Sequence, residues 1–237
     1  MKLILFPVAM MAAALLAVTG QFDPPSTALA QGSPKSDTGA QETNVAGSAQ
    51  DAKPLTVNSK APDITLATVD GKPFKLGEAM KKQPTVLIFY RGGWCPFCNR
   101  QLADLRNIEG DLKGLGYQLL AICMDRPEEL RKTMDKQHMT YTLLSDSDAK
   151  AVKAFGVAFK VDDPTVEKYK GFGIDLEKAS GHDHHILPVP SVFIIGTDRT
   201  IRFVHSNPDY RVRLAESKVL EAAKTVEGTT SNASPKK

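Results

Sequence analysis

Cys95 and Cys98 are separated by two residues in Val86-Leu87-Ile88-Phe89-Tyr90-Arg91-Gly92-Gly93-Trp94-Cys95-Pro96-Phe97-Cys98. Two thiols so spaced can run a redox cycle in which one thiolate attacks and the other resolves the product into a disulfide. Residues three apart on a helix lie roughly 5–6 Å apart between Cβ atoms, and a disulfide wants about 3.8 Å, so local tightening closes such a bond and an external thiol reopens it. The other chemistry open to the pair is half of a zinc site, which needs two more ligands. Cys123 lies in the apolar run Leu119-Leu120-Ala121-Ile122-Cys123 and is expected to be a small core residue.

The elements around the pair must hold the thiols where a strand turns into a helix. Thr85 to Tyr90 is apolar, β-branched and aromatic, bounded by Gln83-Pro84 and Gly92-Gly93, and reads as a buried strand. From Pro96 onward, Leu102, Leu105, Ile108, Leu112 and Leu115 recur at spacings of three and four, which predicts one amphipathic helix ending near Gly114 and Gly116. Pro96 suits the first helical position. Cys95 then falls at the helix N-terminus, where orphan N–H groups and the positive end of the dipole favour a thiolate. Arg91 and Arg100 are close enough in sequence to lower a thiol pKa further.

Upstream, Ile64 to Ala67 and Pro73 to Lys75 flank Val69-Asp70-Gly71-Lys72, which predicts a short N-terminal hairpin. A third apolar strand, Tyr117 to Cys123, completes a strand-helix-strand unit that should be parallel and right-handed. A helix from Glu128 to Gln137, a strand at Leu143 to Asp146 and a helix from Ala149 to Phe155 follow. Gly156 to Ile186 carries no clear periodicity and is expected to be irregular. Ser191 to Gly196 and Ile201 to His205 form a closing hairpin, and a helix through Leu214, Val219 and Ala222 covers it. The class is α/β, with a central mixed sheet flanked by helices.

The 237 residues carry a formal charge of +3 and three cysteines. That length suits one core, and no basic stripe or aromatic platform supports nucleic-acid binding. Met1-Lys2, the apolar run Leu3 to Val18 and the small-residue motif Ala28-Leu29-Ala30 read as a secretory signal over 1–30, with cleavage after Gly20 the alternative. The run is shorter than the about 20 residues of a membrane span, so no stable membrane insertion is expected after cleavage. Residues 31–54 are polar and small and read as a disordered linker, 55–226 as the folded domain and 227–237 as a disordered tail. An exported chain, periplasmic or extracellular, with so few cysteines uses a close pair for function and not as a scaffold.

The blocks Ala61-Pro62-Asp63-Ile64-Thr65-Leu66, Phe89 to Cys98, Gly171 to Leu176 and Leu187-Pro188-Val189-Pro190-Ser191-Val192-Phe193 resemble the peroxiredoxin-like proteins of the alkyl hydroperoxide reductase/thiol-specific antioxidant group over about residues 60 to 223. The resemblance implies a thioredoxin-like fold, a peroxide substrate, recharging by a thioredoxin-like dithiol, and no metal or organic cofactor. Ordinary members carry a proline, a threonine four residues on and the peroxidatic cysteine three further; here Arg91, Cys95 and Cys98 hold those places. By that register Cys98 inherits the peroxidatic position, and Pro190 stands about where the family has an arginine. Pro190 instead resembles the cis-proline of thioredoxins, which leaves the preceding backbone, here Val189, able to pair with an incoming chain. A thioredoxin register makes Cys95 the exposed nucleophile and Cys98 the resolving thiol, and the weight leans to Cys95.

The expected site is therefore Cys95, Cys98, Arg91 and Pro190. The leading expectation is a peroxidase, the second an exported thiol-disulfide oxidoreductase, the third a binding module switched by its disulfide. Trp94 is expected to line the thiols or plug the strand end. His182, Asp183, His184 and His185 are expected as a solvated loop and not a metal site, and His138 and His205 as surface or satisfied core residues.

Overall fold

The structure, a computed structural model, describes residues 45–231. In chain order the elements are β1 (Thr65–Thr68), β2 (Pro73–Lys75), α1 (Leu76–Lys82), β3 (Thr85–Phe89), α2 (Pro96–Asn107), α3 (Glu109–Gly114), β4 (Gln118–Cys123), α4 (Pro127–Gln137), β5 (Thr142–Ser145), α5 (Lys150–Ala154), β6 (Ala158–Lys160), α6 (Asp163–Gly171), α7 (Leu176–Ser180), β7 (Ile186–Pro188), β8 (Ser191–Ile195), β9 (Ile201–Ser206) and α8 (Glu216–Ser231). The main sheet has seven strands in the order β2-β1-β5-β4-β3-β8-β9, and β6 pairs with β7 separately. β3, β4 and β5 run parallel to their neighbours among themselves, whereas β1–β2, β1–β5, β3–β8 and β8–β9 are antiparallel, so the sheet is mixed as expected.

β3 is central, and all five of its residues are buried. Because side chains alternate across a strand, Val86, Ile88 and Tyr90 join α2 and α8 on one face. Leu87 and Phe89 join α1, α5 and the ring cluster of Phe155 and Phe193 on the other. Phe89 sits 5.0 Å from Phe155 and 5.9 Å from Phe193 between ring centroids, tilted and edge-on, the geometry aromatic quadrupoles favour. At roughly 1.5–3 kcal/mol for each fully buried large apolar side chain, these two layers hold β3 and the start of α2 rigidly in place.

Four expectations need correction. The helix after Pro96 is two helices, because Ile108 has φ −102 and ψ 0 and breaks the ladder between α2 and α3; the apolar stripe continues across the break and so concealed it. Gly156 to Ile186 is not irregular. It holds β6, α6, α7 and β7, with Asp162 and Asp175 capping the two helices through the N–H groups of Thr165 and Lys178. These elements are too short to display a period, although both Asp caps were visible as sequence signals. Residues 45–54, inside the expected linker, pack on the fold: Ala46 bridges Phe159, its N–H donates to the Ala158 carbonyl at 3.0 Å, and its carbonyl accepts from Lys160 N–H at 2.9 Å. Finally α8 runs to Ser231, past the expected domain end at 226.

The expected signal segment 1–30, the linker before residue 45 and the tail from 232 lie outside the described residues. Among the described residues no helix is long and apolar enough to cross a membrane.

Candidate active site

The strand β3 delivers the chain to Tyr90, whose N–H still bonds the Ile122 carbonyl of β4 at 3.0 Å. A tight loop follows. Gly93 is gripped from both sides: its N–H donates to Asp125 Oδ2 at 2.6 Å and its carbonyl accepts from Asn99 Nδ2 at 2.8 Å. The Cys95 N–H donates to the Gly92 carbonyl at 3.1 Å. Cys95 is then the N-cap of α2 and Pro96 occupies the first turn, where its missing N–H costs nothing.

Both thiols are reduced and buried, Cys95 at 1% exposure and Cys98 at 0%. They share a proton unequally. A hydrogen bond from the Cys98 thiol, the Cys98 backbone N–H and the charges of Arg91 and Arg213 pull Cys95 down to about 6, although burial opposes this. Burial, and the neighbouring Cys95 sulfur, push Cys98 well up. The negative charge of the singly ionised pair thus rests on Cys95.

Arg213, on the segment entering α8, is a residue beside the thiols that sequence reasoning missed. Its Nη2 reaches Cys98 Sγ at 3.2 Å, while Nη1 donates to Gln101 Oε1 at 3.1 Å and Nε to the Tyr210 carbonyl at 2.7 Å. The cation is thereby fixed beside the second sulfur. Nothing local in Tyr210-Arg211-Val212-Arg213 announces this, because the contact spans the whole domain.

Arg91 is 4% exposed and caged by aromatic rings, with its guanidinium carbon 5.0 Å from the Trp94 ring centre, 5.3 Å from Tyr169 and 4.1 Å from Tyr210. It donates from Nη2 to the Tyr169 hydroxyl. Trp94 therefore both borders the thiol loop and stacks on Arg91. Pro190 and Arg91 line one cavity of about 200 Å³ together with Phe159, Tyr169, Pro188 and Tyr210. Cys95 and Cys98 stand at the head of α2 while Arg91 and Pro190 share the cavity, which neither cysteine lines, and Val189 does not match its expected role. Its N–H donates to the Val157 carbonyl at 2.8 Å, its carbonyl accepts from Ser191 Oγ at 2.8 Å, and it is 1% exposed. The β6–β7 ribbon, unforeseen in the sequence, occupies the backbone that an incoming chain would need.

Cys123 is a core residue whose thiol is pushed well up by burial. Asp125, beneath the loop, is pushed up to about 7 by burial, against the Gly93 N–H that holds its charge. The histidine group is used by the protein itself: His184 Nε2 meets the Ser147 carbonyl at 2.8 Å, its Nδ1 accepts from Ile186 N–H at 3.0 Å, and His185 Nε2 meets Glu177 at 2.9 Å. His138 ends α4 in a left-handed conformation, φ 50 and ψ 47, and His205 lies partly buried in β9.

Residues 57–204 match the model of the AhpC/TSA family. Over 102 residues the chain is 34% identical to a putative peroxiredoxin of Mycobacterium tuberculosis, covering 43% of this chain and 64% of that protein. It is likewise 34% identical over 104 residues to Peroxiredoxin Bcp of Escherichia coli, covering 44% of this chain and 66% of that one. The chain therefore spans just under two thirds of the length of these relatives. Among solved structures it resembles Peroxiredoxin Q of Xanthomonas campestris, with TM-score 0.56 and 19% identity over 73% of this chain and 97% of that one. It also resembles AhpC of Enterococcus faecalis, with TM-score 0.58 and 16% identity over 76% and 98%. At these identities the structural likeness speaks for the thioredoxin-like fold alone.

Proposed function

The chain belongs to the AhpC/TSA family, and from that premise we propose that it is a thiol-dependent peroxidase working through Cys95 and Cys98. The observation that carries this reading is the pair itself: two reduced thiols at the start of α2, the second touched by Arg213 at 3.2 Å, with the pKa of the first drawn down by its partner thiol and the nearby arginines. The Cys95 thiolate attacks the outer oxygen of a hydroperoxide, the O–O bond breaks, and the leaving alkoxide takes up a proton to depart as alcohol, or as water from hydrogen peroxide. The Cys95 sulfenic acid is then attacked by Cys98 sulfur, which loses its proton as the sulfenic hydroxyl leaves as water, and a disulfide forms. An external dithiol of the thioredoxin kind returns two electrons and two protons. Arg213 serves the second step, since a cation at 3.2 Å favours the thiolate that Cys98 must become.

The same contact supports a second assignment, in which Cys98 attacks first, as the family register implies. A thiol-disulfide oxidoreductase is supported less, because the Val189 backbone is already engaged. The leader-like segment 1–30 supports export, and we place the chemistry outside the cytoplasm on that basis.

Mixing the reduced protein with hydrogen peroxide in stopped flow, with the single tryptophan Trp94 as reporter, tests the proposal. Oxidation far faster than that of a free thiol is expected, abolished in Cys95→Ser and stopping at a trappable sulfenic acid in Cys98→Ser. The reverse pattern assigns the attack to Cys98. Oxidation no faster than a free thiol, with brisk reaction at a protein disulfide, overturns the peroxidase reading.

A further inference from the structure

Arg91 is a buried cation that pairs with no carboxylate among the described residues; the one negative charge it acts on is that of Cys95. Among the described residues its side chain has one hydrogen-bond acceptor, the Tyr169 hydroxyl, and Nε is buried with no partner. A guanidinium has five N–H donors. Rings cover its faces, so its free donors lie at the edge. A planar carboxylate taken side-on matches the edge of a guanidinium best.

The cavity beside Arg91 supplies the rest of a binding site. Phe159, Pro188, Pro190 and Pro208 give it apolar walls, and residues 47–50 border it. The cavity's own carboxylate, Asp162, is committed elsewhere, accepting from Thr165 N–H and Oγ1 at 2.9 Å each. Lys160, the other cation of the lining, has an exposed side chain. One buried positive charge in an apolar cavity of about 200 Å³ suits a small, singly charged anion with an apolar body better than a phosphate, which brings more charge than Arg91 alone can balance. Arg91 stands four positions before Cys95 and acts electrostatically on it, so a ligand gripped there is held next to the thiol loop, whose cysteines do not themselves line the cavity.

We propose that Arg91 and this cavity form a carboxylate-binding pocket, and that the preferred substrates are small organic hydroperoxides bearing a carboxylate. The substrate part of this rests on the peroxidase reading above; the pocket does not. The register position that holds a proline in ordinary relatives is here turned into a recognition residue.

The test uses the full reduced chain with three peroxides: hydrogen peroxide, a cumene hydroperoxide carrying a para-carboxylate, and the methyl ester of that acid. The carboxylated alcohol, which cannot oxidise thiols, is titrated separately against Trp94 fluorescence. A buried guanidinium-carboxylate pair predicts that the acid oxidises the thiols at least about tenfold faster than the ester, and that Arg91→Gln removes both the preference and the alcohol's binding. Equal rates for acid and ester, with no binding of the alcohol, overturn the pocket while a rapid hydrogen peroxide reaction leaves the peroxidase standing. Arg91-dependent binding of the alcohol without oxidation by any peroxide upholds the pocket and removes the peroxidase. Should Arg91→Gln fail to fold, the acid-to-ester ratio of the unaltered protein decides the matter.

Discussion

Cys95 is the residue at which burial and electrostatics compete most directly. Burial alone would keep both thiols protonated, and the Cys98 thiol, the Cys98 backbone N–H and two arginines reverse this for Cys95. A depressed pKa has a definite sign. Between about pH 6 and the ordinary thiol value of 9.0, the folded protein holds a thiolate that the unfolded chain would protonate, so the contribution of Cys95 to stability is present above 9.0 and is lost as pH falls through 6, whereas the raised Cys98 thiol contributes with the opposite sign. Reactivity follows the same group. The rate of Cys95 alkylation by iodoacetamide, measured in Cys98→Ala and in the unaltered protein, should fall about tenfold per pH unit below the folded pKa. The inflection should lie near 6 in the unaltered protein and move upward in the variant, because the largest cause of the shift has been removed. An unchanged inflection would show that the arginines, and not the partner thiol, set the pKa.

At the scale of elements, the thiol loop is held between α2 and α4. The Gly93 backbone is pinned by Asp125 and Asn99, and a Cβ at Gly93 would meet Thr133 Oγ1 of α4 at 1.7 Å and its Cβ at 2.9 Å. No rotamer change relieves a contact with Cβ. Gly93→Ala must therefore push the loop off α4 and weaken the Asp125 bond, at an expected cost of about 1–3 kcal/mol by thermal or denaturant unfolding. Slower Cys95 alkylation should accompany that loss, since the N-cap residue is two positions on. Adding Thr133→Ala should recover part of both, because the hydroxyl is the nearer obstacle. Full stability in Gly93→Ala would mean that α4 yields freely and that the loop is not held as described.

Across the whole molecule, the segment before β1 runs along β6 and reaches the start of β9, where Asn58 N–H donates to the Ile201 carbonyl and Ile201 N–H to the Ser59 carbonyl, both at 2.9 Å. Ala46 N–H donates to the Ala158 carbonyl at 3.0 Å, Lys160 N–H to Ala46 at 2.9 Å, and Leu55 N–H to Phe155 at 2.9 Å. At about 1 kcal/mol net for each bond, plus the packing of Val45 and Leu55 on the core, removal of the chain through Leu55 should cost on the order of 3–5 kcal/mol. For a domain of this size that lowers Tm by roughly 10 °C. Amide exchange should quicken in β6 first, as it loses a neighbour. An unchanged Tm would return the segment to the status of a tether.

The residues near Cys95 were legible because their information is local: an apolar strand, two glycines, a proline suited to the first helical turn and two thiols three apart define a strand-to-helix redox turn within a few positions. The same holds for β3, β4, the hairpins and α4, whose periods or turn residues are complete within themselves. What tertiary structure alone decided is what depends on contacts distant in sequence. Arg213 reaches Cys98 from 115 positions away, Arg91 is caged by Tyr169 and Tyr210 from separate elements, and Val189 is engaged by Val157 through a ribbon too short to leave a periodic trace. Sequence spacing determines which side chains share a turn; which charge faces which sulfur is settled only when the layers close.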